Sequence, residues 1–218
     1  MRYRIVSFDM DGTLIKNTTA DLFFASLLNV EKEVLELEVR LKQGLIDYSD
    51  FMVEVGHIMK DLSLDLIAAN FSSLPLIKGI AETIETLRRN DITTLLITCS
   101  GEYFASLFKS EFKFDYVFGT KHQIDERGFI GIGTQVCSAD SKVQHLLNVA
   151  AEHRVSPEEC VAVGDSRSDI PLFETVGLAI AFNSDETLAD KADVYLRSDD
   201  LRSILEYILE PQSSRHSF

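Results

Sequence analysis

The sequence predicts an α/β fold: a Rossmann-like parallel sheet with helices on both faces, plus a small helical cap domain inserted after the first strand. Three observations lead there. Short apolar, β-branched runs alternate with amphipathic helical stripes over most of the chain, the pattern of strand–helix–strand units that bury a parallel sheet on both faces. Residues 15–75 interrupt that alternation with four successive helical patterns and no buried strand between them. Three of the polar clusters stand where predicted strands end, which in such folds is where ligands bind. The implied organisation is a core of residues 1–14 and 76–218 and a helical cap of residues 15–75.

Taken in order, residues 3–8 form a buried strand that delivers Asp-Met-Asp-Gly to a loop. Residues 20–28, 31–43, 48–59 and 64–71 read as the four helices, and Pro75 and Gly79 mark the return to the core. Residues 80–89 carry Ile80, Ala81, Ile84 and Leu87 at helical spacing. Residues 92–98 (ITTLLIT) form the next strand and end at Cys-Ser-Gly, before a helix over 103–112. Within 116–136 the spacing predicts a hairpin with its turn at 125–128. A helix over 142–153, strands over 160–163, 178–182 and 194–196, and a helix over 201–209 complete the pattern; the polar tail 211–218 is expected to fray.

The 218 residues fit one domain with an insert, and 45% hydrophobic residues suffice for a sizeable core. A net charge of −14 argues against a nucleic-acid surface and against docking on anionic lipid. Cys99, Cys137 and Cys160 lack metal-ligand spacing and cannot all pair with one another, which suggests a reducing compartment. Residues 1–9 are too short and too charged for a signal peptide, and no run approaches membrane-spanning length. A soluble, cytoplasmic protein is expected, as a monomer or homodimer.

The most informative stretch is Asp9-Met10-Asp11-Gly12-Thr13. Two carboxylates two residues apart beyond a buried strand point the same way and need a cation or a proton between them. A hard divalent ion answers that need and takes phosphate as a further ligand. One aspartate capping a helix or turn is an equally good reading of this stretch alone. Gly164-Asp165-Ser166-Arg167-Ser168-Asp169 is a second acidic cluster; here Asp169, taken alone, is better read as a helix cap. Ser100-Gly101, after the second strand, reads alone as an N-cap with a turn glycine, or as a phosphate-holding hydroxyl with backbone N–H groups. Lys142 alone reads as a surface lysine.

In their order along the chain, the four clusters resemble the haloacid dehalogenase superfamily of phosphohydrolases. The likeness runs from Phe8 to Leu209 and rests most on Phe8-Asp9-Met10-Asp11-Gly12-Thr13-Leu14. The stretch 159–209 and a helical cap after the first motif look most like the phosphoserine phosphatase branch. The resemblance implies a Mg²⁺-dependent phosphatase acting on a small phosphorylated metabolite through an aspartyl-phosphate. It implies that Asp9 attacks phosphorus, and that Asp11 protonates the leaving oxygen and later activates water. It implies that Asp9, Asp11 (through its carbonyl), Asp165 and Asp169 hold the metal. Ser100, Gly101 and Lys142 would hold the phosphoryl oxygens, with Thr13 orienting the nucleophile loop beside them. Transfer to an acceptor alcohol would use the same core; a catalytically weak binding protein is the reading from another class.

Departures from the branch bear on the substrate. Its acidic residue soon after the first motif is missing, since Lys16-Asn17-Thr18-Thr19 precedes Asp21. Its cap arginine is missing from 48–59, leaving Arg40, Lys42 and Lys60 as the nearest basic residues. Glu102 replaces a second glycine, and Ser168 an asparagine. The missing acid and the missing arginine disfavour phosphoserine, whereas Glu102 could tighten the phosphate pocket or change its charge; Phe23, Phe24, Leu27, Phe51, Met52 and Val55 are candidates to pack the helices or to reach the cleft. Arg167 is expected to face solvent, and His57, His122, His145, His153 and His216 to be surface or packing residues.

Overall fold

The computed structural model describes residues 3–184 and 186–209. Strand β1 (Ile5–Phe8) is followed by helices α1 (Ala20–Leu27), α2 (Glu31–Lys42), α3 (Tyr48–Ile58) and α4 (Leu64–Asn70). Then come α5 (Ile80–Arg89), β2 (Thr93–Gly101), α6 (Glu102–Phe112), β3 (Tyr116–Ile124), β4 (Ile130–Gln135) and α7 (Ala139–His153). The chain continues with β5 (Cys160–Gly164), α8 (Ile170–Phe173), β6 (Leu178–Phe182), β7 (Val194–Leu196) and α9 (Leu205–Leu209).

Among the described residues these strands form one seven-stranded sheet in the order β4-β3-β2-β1-β5-β6-β7. The sheet is buried on both faces, which is why its central strands read as continuous apolar runs. Val6, Phe8, Leu96, Val161, Val163, Ile180 and Phe182 face one side, toward α5, α6 and the helices α1–α4. Ile5, Leu95, Ile97, Ala162, Ala179 and Ala181 face the other, toward α7 and α8. Helix starts follow side-chain chemistry: Thr19, Asp47, Ser63 and Ser138 each accept a first-turn N–H into α1, α3, α4 and α7. No helix among the described residues is long and apolar enough to cross a membrane.

The predicted α/β architecture is present. The predicted hairpin adds an antiparallel edge strand, and its first strand also pairs in parallel with β2, so the hairpin belongs to the main sheet. Leu95, Leu96 and Ile97 pair in parallel with Tyr116, Val117 and Phe118, while Lys121 and Ile124 pair antiparallel with Gln135 and Ile130. A register shift after Ile97 lets β3 leave β2 and continue into the hairpin. The predicted turn is present, with Gly128 at φ +81° donating its N–H to the Asp125 carbonyl at 2.9 Å. The hairpin supports α3 from below: a Cβ on Gly56 would lie 2.8 Å from the Ile132 Cα, so only glycine permits this approach. The frayed tail expected at 211–218 and His216 lie outside the described residues.

Candidate active site

β1 lies between β2 and β5, and the ends of these three strands set the site. Asp9 prolongs β1, its N–H donating to the Val163 carbonyl at 2.9 Å. Ser100 is the last residue but one of β2, and Asp165 follows β5. Gly12 turns the chain at φ +83°, and a Cβ there would fall on the Asp165 carboxylate. Thr13 donates its hydroxyl to Asp165 Oδ1 at 3.2 Å, so the first motif is clasped to the third strand end.

Lys142 is no surface lysine. It is fully buried, and its Nζ donates to Asp9 Oδ1 at 2.5 Å and to Asp169 Oδ1 at 2.8 Å. Burial opposes its charge, but Asp169 and Asp9 outweigh that and hold it well above its ordinary range, so it remains an ammonium. Asp169 does not cap α8 through its side chain; its Oδ1 meets Lys142, while Oδ2 reaches back to accept the N–H groups of Ser166 at 3.1 Å and Asp165 at 3.2 Å at the start of the preceding 3₁₀ turn.

Asp9, Asp165 and Asp169 each offer an oxygen within 4.8 Å of the others. Burial pushes the Asp165 carboxyl up to about 9, with Asp9 and Asp169 adding repulsion. Burial likewise raises Asp9 to about 7 against the pull of Lys142. Asp9 and Asp169, buried on one ammonium, and the half-buried Asp165 beside them have the hard-oxygen donor set and the surplus negative charge that suit a divalent ion. The Asp11 carboxylate stands apart from that group. It accepts the Ser100 hydroxyl and the Ala20 N–H, each at 2.6 Å, and burial raises its pKa.

These strand ends form one wall of a cavity of about 550 Å³ that Asp9, Asp11, Ser100 and Asp165 line. Lys142 and Asp169 lie behind that wall, fully buried or nearly so. Thr13 is buried there too, and Gly101 stands just before α6. The opposite wall comes from the segments before and along α1–α3: Thr18, Asp21, Glu38, Lys42, Tyr48 and Phe51. Phe24, Met52 and Val55 pack the core, so of the six apolar candidates Phe51 is the one that lines the cavity. Arg40 pairs with Glu54 at 2.9 Å, away from that lining, whereas Lys42 joins it. Glu102 lines two other clefts with Lys121 and not this cavity, and Arg167 is exposed as expected.

Glu38 escaped the sequence reading, and Asp21 entered it only as the next acid along the chain. A signal for Glu38 was present: it occupies the buried stripe of α2 beside Val34 and Leu37, an unusual place for a carboxylate. Asp21 likewise shares the buried face of α1 with Ala20, Phe24 and Ala25.

The chain matches the haloacid dehalogenase-like hydrolase family model over residues 6–174. It is similar to the phosphoserine phosphatase of Methanocaldococcus jannaschii, 27% identical over 206 residues, covering 94% of this chain and 97% of that one. The phosphoserine phosphatase of Archaeoglobus fulgidus is 29% identical over 213 residues; the match takes in 97% of this chain and 62% of that relative's length. Among solved structures, a phospho-aspartyl intermediate analogue of phosphoserine phosphatase superposes with a TM-score of 0.80 at 26% identity, covering 95% of this chain and 100% of that one. A HAD family hydrolase from Salmonella enterica serovar Typhi shares the fold with a TM-score of 0.87 at 21% identity, covering 94% and 71% of the two chains.

Proposed function

The chain belongs to the haloacid dehalogenase-like hydrolases, and from that premise we propose that it is a Mg²⁺-dependent phosphatase that cleaves a small phosphomonoester through an aspartyl-phosphate on Asp9. The observation that carries this reading is the meeting of Asp9, Ser100 and Asp165 at three strand ends over a buried Lys142. Lys142 fixes one oxygen of the Asp9 carboxylate, which aligns a weak nucleophile for in-line attack. As the Asp9–phosphorus bond forms, the bond from phosphorus to the leaving oxygen breaks. Asp11, whose burial favours the protonated form, gives that oxygen a proton. It then takes one from the water that releases phosphate and restores Asp9. The Ser100 hydroxyl, now on Asp11, and the Gly101 N–H are set to hold phosphoryl oxygens, and Thr13 keeps the loop closed on Asp165. Asp9, Asp165 and Asp169, with the Asp11 carbonyl, would hold Mg²⁺, whose charge offsets that of the transferring phosphoryl group.

Residues 15–75 act as the cap that shapes the leaving-group end of the cavity. Phosphoserine is not the best substrate on this reading, because Thr18 offers no charge, residues 48–59 contain no arginine, and the charged groups lining the cavity are five acids and one lysine. The test is hydrolysis of p-nitrophenyl phosphate with Mg²⁺ by the wild type and by Asp9→Asn. A loss of at least about 10⁴-fold is expected for removal of a nucleophile. Acid-stable, hydroxylamine-sensitive labelling of Asp9 is expected in the wild type. Turnover by Asp9→Asn close to wild type, with deamidation excluded by mass spectrometry, would overturn the mechanism.

A further inference from the structure

Helix α3 brings a phenol to the cavity for which the transfer steps above have no use. Tyr48 opens that helix and lines the cavity, half-buried, with its ring 5.6 Å from the ring of Phe51, which lines it too. The Tyr48 hydroxyl meets no hydrogen-bond partner among the described residues. The one side-chain polar atom there that is both sealed from solvent and without a partner is the Thr83 hydroxyl, so the Tyr48 oxygen is open to the cavity and not walled in. Burial raises its pKa well above the ordinary 10, and Cys99, Asp21, Asp11 and Asp9 add to the rise. The phenol therefore keeps its proton, and it stands close enough to the strand ends to feel their charges.

The helix that carries it is fixed to the core. Gly56 lies against Ile132, and a Cβ on Gly133 would come within 2.9 Å of the Met52 Cβ. Beyond α3, the Ile130 N–H donates to the Leu62 carbonyl at 2.8 Å and the Leu64 N–H to the Gly128 carbonyl at 2.9 Å. Asp47 accepts the Asp50 N–H at 2.8 Å and caps the turn in which Tyr48 sits. A donor on a packed, capped helix is held in one place, as a contact that sets specificity must be.

We propose that the Tyr48 hydroxyl donates a hydrogen bond to an uncharged oxygen of the leaving group, so that the preferred substrate is the phosphate ester of a short polyol with a free hydroxyl on the carbon next to the ester-bearing one. This inference rests on the phosphatase reading of the cavity. In that reading the phosphoryl oxygens have Ser100, Gly101 and the metal ion, and the ester oxygen has Asp11 as its acid. The donor on α3 is left for the carbon skeleton. A phenol offers one O–H and no charge, which suits a hydroxyl oxygen. A carboxylate in the same place would enter a lining with five acids, Asp9, Asp11, Asp21, Glu38 and Asp165, and one exposed lysine. A site that spends a donor on a substrate hydroxyl rejects the analogue that lacks it, because the donor is then left unpaired.

The test compares 2-hydroxyethyl phosphate with n-propyl phosphate, which puts a methyl where the hydroxyl stands. In the wild type with Mg²⁺, kcat/KM is expected to favour the hydroxy ester by about fivefold, as one neutral hydrogen bond gives, and to rank phosphoserine below it. Tyr48→Phe removes the hydroxyl and keeps the ring, and it should bring the ratio toward one, with Tm confirming the fold. A purely structural role for Tyr48 would slow both esters alike and leave the ratio standing. Calorimetry in the Asp9→Asn background reads the same preference without turnover, and adding Tyr48→Phe should erase it there too. Equal kcat/KM for the two esters, a ratio that Tyr48→Phe leaves intact, or a preference for phosphoserine would each overturn the contact. If n-propyl phosphate is turned over as well as the hydroxy ester, the phosphatase reading survives and the contact fails. A binding preference that Tyr48→Phe erases, with no turnover of any ester, would instead keep the contact and remove the role given to Asp9.

Discussion

Two sets of buried acids lie around the cavity, one at the strand ends and one on the helices, and the fold treats them oppositely. At the strand ends, Asp9 and Asp169 share the Lys142 ammonium at 2.5 and 2.8 Å. On the helices, Asp21 and Glu38 share no buried cation, and each is pushed toward its protonated form by burial. The first set is compensated within the protein and still carries more negative than positive charge. The second is left for solvent, protons or a ligand to complete. The contrast teaches that a buried acid is not by itself a sign of catalysis: what matters is whether the chain supplies its counter-charge, and how much is left over.

Removing the counter-charge should erase the contrast most strongly. Lys142→Met leaves Asp9 and Asp169 buried without a partner, and a loss of about 3–5 kcal/mol in unfolding free energy is expected from urea titration. An unchanged midpoint would mean that the strand-end acids need no lysine. Metal should act on one set alone. With Mg²⁺ at a hundred times its Kd the fold gains about 2.7 kcal/mol, read as a rise in Tm. Asp165→Asn should abolish that rise while Asp21→Asn retains it, and the opposite result would place the ion on the helices.

The third prediction uses pH. Asp21 rises from an ordinary 3.8 to about 8 in the folded chain, so the native state binds the extra proton between those values. The stability tied to that proton is complete below about pH 4 and is lost as pH climbs toward 8. In metal-free buffer, Asp21→Asn should remove this decline, leaving the variant more stable than wild type by about 1–3 kcal/mol near pH 8. Parallel stability–pH curves for the two proteins would contradict it. The smallest effect is expected at a pair that belongs to neither set. Arg40 and Glu54 are both about two-fifths exposed, so Arg40→Ala should cost less than about 1 kcal/mol and leave the substrate ranking unchanged.

The strand-end set was legible in the sequence because its signals are local. β1, β2 and β5 announce themselves as apolar runs, and each leads into its own polar cluster. Even so, Lys142 read in isolation as a surface residue; only the packing of α7 against the sheet buries it beside Asp9. The helical set was illegible for a related reason. α2 shows a carboxylate in its buried stripe, but what that carboxylate faces depends on how α1, α2 and α3 pack. The two roles of β3 were hidden as well, because pairing partners lie in other segments, and one local pattern serves a parallel neighbour and a hairpin equally. The aromatic and apolar residues of α1 and α3 could not be divided between core and cleft until the helices were placed; Phe51 then joined the cavity wall while Phe24 and Met52 did not.

The place of β1 at the middle of the sheet also matters while the protein is being made. It leaves the ribosome before the other described strands of the sheet, yet its neighbours are β2, which begins at Thr93, and β5, which begins at Cys160. At a synthesis rate of about 5–20 residues per second, the strand waits on the order of ten seconds or more for its second partner. Throughout that interval Val6 and Phe8 have no finished sheet to enter, while α1–α4 have already emerged. The strand that leads into Asp9 is therefore made well before the strands that secure it, and a chaperone that shields nascent apolar strands would find a binding site there.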